Sequence, residues 1–72
     1  MTQVEVIVAS AEEADDGIAE LWYGADMVGF TVIQEGQLHL RIDPRRDGQP
    51  WLIATASLAR GLAEAARQLA AY

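Results

Sequence analysis

The chain has 72 residues, no cysteine and a net charge of −6, and about half of its residues (51%) are hydrophobic. That describes one small folded domain spanning 1–72, with no disulfide framework, no thiolate metal site and no cysteine nucleophile. The apolar runs fall short of the ~18 residues that cross a bilayer. The start, Met1 to Glu5, lacks the basic residues and apolar core of a signal peptide, so a cytoplasmic protein with no membrane partner is the expectation.

Residues 4–9 form a β-branched run and read as a first strand. Residues 10–17 are polar and acidic and read as a loop, although Ser10-x-x-Glu13 resembles a capping box that would start one helical turn. Residues 18–23 read as a second strand. Gly24-Ala25 is a two-residue turn with glycine in the position that type II′ geometry favours. Residues 27–33 read as a third strand and 38–43, which alternate strictly, as a fourth. Residues 44–50 are a polar loop, and Trp51 to Ala54 reads as a short extended piece, a candidate fifth strand.

The C-terminal helix is the clearest element. Leu58, Leu62, Ala65, Leu69 and Tyr72 recur at helical spacing, with Thr55 or Ser57 as the cap and Arg60–Glu64 as an i,i+4 pair. Ala59, Ala63, Ala66 and Ala70 flank the stripe. Small residues there let the helix lie close to a sheet, or let two helices meet in a dimer. The fold class is therefore α+β, a four-stranded antiparallel meander with one C-terminal helix on one face.

Register decides which residues that helix covers. Counting back from the Gly24-Ala25 turn sets Trp22 opposite Met27, Leu21 opposite Val28, Glu20 opposite Gly29 and Ala19 opposite Phe30. Beyond residue 34 there are two options. A two-residue Glu35-Gly36 turn sets His39 and Arg41 beside Val32 and Phe30, which would place charge in the core. A three-residue loop with a bulge at Gly36 sets Val32 opposite Leu38 and Phe30 opposite Leu40. A one-residue slip turns every side chain over, so burial selects the second option.

On that reading the helix covers Ala19, Leu21, Val28, Phe30, Val32, Leu38, Leu40 and Ile42. The opposite face shows Ile7, Ile18, Trp22, Met27, Thr31 and Ile33, with Glu20, His39 and Arg41 among them. A contiguous apolar patch rimmed by charge is an interface signature, unless the first strand or the 44–54 segment folds over it. Burying about 400 Å² of it per subunit would gain about 10 kcal/mol gross, much of it offset by the cost of association. Glu20 and Arg41 are expected to meet above Gly29 as an ion pair.

Little in the sequence points to catalysis. His39 has no neighbouring nucleophile and acid to complete a triad. Glu12, Glu13, Asp15 and Asp16 offer oxygen ligands without calcium-loop spacing and read as a solvated loop. The glycines form no phosphate-binding pattern, so neither cofactor nor metal is expected. Arg45 or Arg46 is placed to stack on Trp51.

Residues 1–36 carry eight acids and no base, whereas 37–72 carry five arginines and three acids, so nucleic acid is not an expected partner. The leading expectation is a non-enzymatic interaction domain, a homodimer or a binder of another protein through Ile18, Glu20, Trp22, Met27, Thr31, Ile33, His39 and Arg41. The alternative is an acidic inhibitor or antitoxin-like protein whose first half meets a basic protein surface. A third option is an enzyme or ligand-binding domain with its site in a pocket near Trp51, between the helix and the 44–54 loop. No motif identifies a family.

Overall fold

The computed structural model describes residues 2–72; Met1, part of the signal-peptide reading, lies outside them. The elements are β1 (Val4–Ile7), α1 (Ala11–Asp15), β2 (Glu20–Tyr23), β3 (Asp26–Gln34), β4 (Gln37–Ile42) and α2 (Thr55–Ala70). The strands form one antiparallel sheet in the order β1-β2-β3-β4, and α2 packs on its β1 side. This is the α+β meander and C-terminal helix that the sequence predicts. Residues 51–54 form no strand; Trp51 and Ile53 pack against the core instead.

Ser10 caps α1: its hydroxyl accepts from the Glu13 N–H at 3.2 Å. This satisfies one of the donors that a helix start leaves unpaired. The predicted loop therefore contains one short helix. The Gly24-Ala25 turn has the positive φ at its first position that its type requires (Gly24, +66°), and Tyr23 pairs with Asp26 across it.

The register departs from the expected one in the middle of the sheet. Trp22 pairs with Met27 as predicted, but Leu21 pairs with Gly29 and Glu20 with Phe30. Val28 is the extra residue of a β-bulge. A bulge leaves one residue unopposed and turns the strand beyond it, so Thr31 faces the core while Phe30 and Val32 face away from α2.

The second hairpin follows from this. Glu35 and Gly36 both take positive φ (54° and 76°) in a two-residue turn, and the pairs are Ile33–Leu38, Val32–His39, Thr31–Leu40, Phe30–Arg41 and Gly29–Ile42. The three-residue loop with a bulge at Gly36 does not form. The two-residue turn would bury charge only with Phe30 and Val32 in the core. Once the bulge has turned them outward, His39 and Arg41 sit beside them in solvent and bury no charge.

Ala19, Leu21, Val28 and Ala65 form the buried centre, with Val4, Val6, Tyr23, Leu40, Leu58 and Leu69 packed around it. The buried line of α2 is Ser57, Gly61 and Ala65, spaced four apart. Small side chains there let the helix axis approach β1; the flanking Ala59, Ala63, Ala66 and Ala70, expected in that role, are exposed instead. Neither Thr55 nor Ser57 caps the helix: Ala54 stands at the cap position without a side-chain hydrogen bond. Ser57 acts further in, where its hydroxyl accepts from the Val4 N–H at 2.9 Å and donates to Gln3 Oε1 at 3.1 Å.

The predicted Arg60–Glu64 pair is also replaced. Arg60 reaches Gln3, and Glu64 takes Arg67 with Nε–Oε2 at 2.9 Å. Hydrogen bonds from Arg67 and then Gln68 hold the Glu64 carboxyl below its ordinary range, and the Glu64 carboxylate in turn raises Arg67.

Gly61 carries a testable consequence. A methyl group there would lie 2.5 Å from Val4 Cγ1, a stiff β-branched side chain. Alanine raises helix propensity by about 1 kcal/mol, but overpacking costs about 1–3 kcal/mol. Gly61→Ala should therefore lower stability by about 1 kcal/mol. Urea denaturation checks the sign, which would be reversed if helix propensity alone governed the site.

Candidate interaction face

The face of the sheet turned away from α2 is built by alternation. β1 contributes Glu5 and Ile7, opposite Trp22 and Glu20. β2 contributes Glu20 and Trp22, whose indole N–H donates to Glu20 Oε1 at 3.0 Å. β3 contributes Met27, opposite Trp22, then Phe30 and Val32; β4 contributes His39 and Arg41. Trp22, Met27, Phe30 and Val32 are half-buried. The 43–46 segment borders the Trp22–Met27 end of this face across a cleft.

Of the predicted interface residues, Glu20, Trp22, Met27, His39 and Arg41 share this face. Thr31 and Ile33 do not. Thr31 is only 2% exposed and lies in the core, where its hydroxyl accepts from the Ala19 N–H at 2.9 Å and donates to Gly17 O at 2.7 Å. Ile33 lies against Gly17 on the α2 side. Ile18 precedes β2, half-buried, and its N–H donates to Glu13 O at 2.8 Å. Phe30 and Val32, expected beneath the helix, take their places. The bulge accounts for both exchanges, and its signal in the sequence was Gly29, a glycine inside a strand pattern.

Glu20 and Arg41 do not meet above Gly29. Gly29 lies between Leu21 and Ile42 on the other face, and the aromatic ring of Phe30 separates the two charges. Arg41 lies over that ring, 5.3 Å from its centroid, with its Nε 3.4 Å from Asp43 Oδ1. The row therefore reads Ile7, Glu20, Phe30, Arg41 across four strands, with opposite charges flanking an aromatic centre.

The chemistry elsewhere is sparser. His39 Nδ1 lies 3.0 Å from Gln37 O on the exposed side of β4. Glu12, Glu13, Asp15 and Asp16 lie on or beside α1, and among the described residues they form no cluster of metal ligands. Arg45 stacks on Trp51 at 5.4 Å, the expected cation–π contact, and the Trp51 indole donates to Asp43 O at 2.7 Å. The Gln49 N–H, followed by Arg45, holds the Asp47 carboxyl below its ordinary range. A cleft of about 350 Å³ does adjoin Trp51, but it opens between the 43–46 segment and the β2–β3 turn, with Trp22 and Met27 in its wall. The expected position beside the helix is not where it lies.

No protein-family model matches the chain, and no curated protein or solved structure matches it. Among the described residues no helix is long and apolar enough to cross a membrane. Geometry alone carries the functional reading.

Proposed function

We propose that this chain is a non-enzymatic interaction module that pairs with a second copy of itself, sheet against sheet, through the face carrying Trp22, Met27, Phe30 and Val32. The observation that carries this reading is the row Glu20, Phe30, Arg41. A two-fold axis laid along β3 at Phe30 exchanges the β2 side of one copy with the β4 side of the other. Glu20 of each copy then stands over Arg41 of its partner. Met27, Phe30 and Val32 meet their own counterparts in an apolar seam. Such an isologous contact is self-complementary in both shape and sign.

The size of the face sets the expected strength. Four strands about 4.8 Å apart and about 20 Å long offer about 400 Å², below the area of a standard interface. The dimer is accordingly concentration-dependent, and the −6 charge of each copy makes it tighter at moderate salt than at very low salt.

Sedimentation across micromolar to millimolar concentration tests the reading. The chain should dimerise, and Phe30→Ser should abolish dimerisation. Glu20→Arg and Arg41→Glu should each weaken the dimer by about tenfold, the scale of a close charge pair. The double variant Glu20→Arg/Arg41→Glu should recover most of the loss, because the pairs re-form with signs exchanged. A chain that stays monomeric throughout, or a double variant no better than either single one, would remove the proposal. Circular dichroism on each variant separates lost pairing from lost folding.

A further inference from the structure

The sheet has two edges, and they are finished differently. At the β1 edge, the outward N–H of Val4 donates to Ser57 Oγ at 2.9 Å and the carbonyl of Val8 accepts from the Tyr72 hydroxyl at 3.4 Å. That edge is four residues long, with Ser57 of α2 tying its start and Tyr72 the residue just past its end. The β4 edge is six residues long. The Asp43 N–H donates to Val28 O at 2.8 Å, across to β3. Alternation along an antiparallel strand then turns the backbone groups of Leu38, Leu40 and Ile42 away from β3. Among the described residues no hydrogen bond from outside β4 reaches them. Nor does side-chain packing cover the strand: Leu38 is 43% and Ile42 58% exposed. Folded proteins usually blunt such an edge with proline, a bulge, a covering segment or charge; of these β4 has only the charge of Arg41, which leans over the Phe30 ring.

We propose that the β4 edge is a docking site for a β-strand from another protein, an extended segment in which apolar and acidic residues alternate. Strand addition uses main-chain hydrogen bonds for affinity and alternate side chains for selectivity. On the α2 side, the partner's apolar residues lie beside Leu38, Leu40 and Ile42. On the other side, its carboxylates lie beside Arg41 and within reach of the His39 imidazole. A second copy of β4 fits poorly. The two antiparallel registers that overlap the strand best, centred on His39 or on Leu40, set Arg41 against Gln37 or against His39, never against a carboxylate. The edge therefore selects an acidic strand over its own copy.

The test uses acetylated six-residue peptides alternating valine with glutamate or valine with lysine. Amide hydrogen exchange is followed by NMR on the full chain and on Phe30→Ser, in which pairing through the sheet face is removed. The glutamate peptide should slow exchange at Leu38, Leu40 and Ile42 in both proteins and leave Val4 and Val6 unchanged. The lysine peptide should bind at least about tenfold more weakly. Ile42→Pro removes one outward donor and no bond to β3, so it should weaken the glutamate peptide by at least about tenfold while the β3–β4 amides keep their protection. The proposal is overturned if neither peptide protects β4, if both bind equally, or if the β4 amides are already protected in Phe30→Ser alone, as an edge-to-edge copy would make them.

Discussion

Replacing Gly29 with alanine should destabilise the chain by about 4 kcal/mol or more, a large share of its total stability. A Cβ at this position would overlap the carbonyl oxygen of Arg41 and crowd the Ile42 Cα. Both obstacles are backbone, so no rotamer change relieves them; β3 and β4 would have to part. A domain of this size has about 4–11 kcal/mol of stability in total. Separating a strand pair at its bulge belongs with the most damaging substitutions, at about 4 kcal/mol or more. A large fall in the thermal midpoint, read by near-ultraviolet circular dichroism, is the expected result. A folded Gly29→Ala protein with less than about 1 kcal/mol of destabilisation, the scale of an ordinary mutation, would mean that the strands do not approach so closely. Gly36 is a useful control. Nothing crowds it, but it sits at φ +76°, so Gly36→Asn should be nearly neutral because asparagine tolerates that region.

Thr31→Val should cost about 3 kcal/mol. The two side chains are nearly the same shape, so the change removes only the hydroxyl. That hydroxyl joins the Ala19 N–H and Gly17 O, and without it two buried backbone groups lose a partner, at about 1–3 kcal/mol each. Thr31→Ser keeps the hydrogen bonds and should lose no more than about 1.5 kcal/mol, the contribution of one buried methyl group. Urea titrations of the three proteins should differ in midpoint and share a slope. Equal stability of the valine variant and the parent would contradict a hydroxyl held between the Ala19 N–H and the Gly17 carbonyl. The same substitution also separates two functional expectations. If Thr31 lay on the interaction face, as the sequence alone suggests, valine would strengthen pairing. In the core it should leave the dimer constant of the folded fraction unchanged.

The sequence reveals most elements because their signals are local. Gly24 and Gly36 mark the turns, Ser10 marks a helix start three residues before Glu13, and the Leu58–Leu62–Leu69 spacing marks α2. What it conceals is the count between the turns. Each turn fixes register only until an extra residue intervenes, and Val28 is that residue. One bulge moved Thr31 and Ile33 from the outer face to the core side and moved Phe30 and Val32 the other way. The candidate face was therefore legible in its β2 and β4 members, Glu20, Trp22, His39 and Arg41, and in Met27, which precedes the bulge. It was not legible in the β3 members beyond it. The partners of Arg60 and Ser57 were hidden for another reason: Gln3 and Val4 lie more than fifty residues away in sequence, and helical spacing reports nothing about them; Glu64, left by Arg60, turns to Arg67 three residues on.

The way α2 finishes β1 has a consequence for how the protein is made. Val8 leaves the ribosome 64 residues before the tyrosine whose hydroxyl meets its carbonyl, and Val4 precedes Ser57 by 53. The β2–β3–β4 hairpins close through neighbouring contacts and form early, whereas long-separation contacts come late. Between the completion of β4 at Ile42 and the arrival of Ser57 the meander therefore carries two open borders rather than one. A chaperone that shields the first strand until the helix emerges would raise the yield, and a premature stop codon before residue 57 would release a species prone to aggregate.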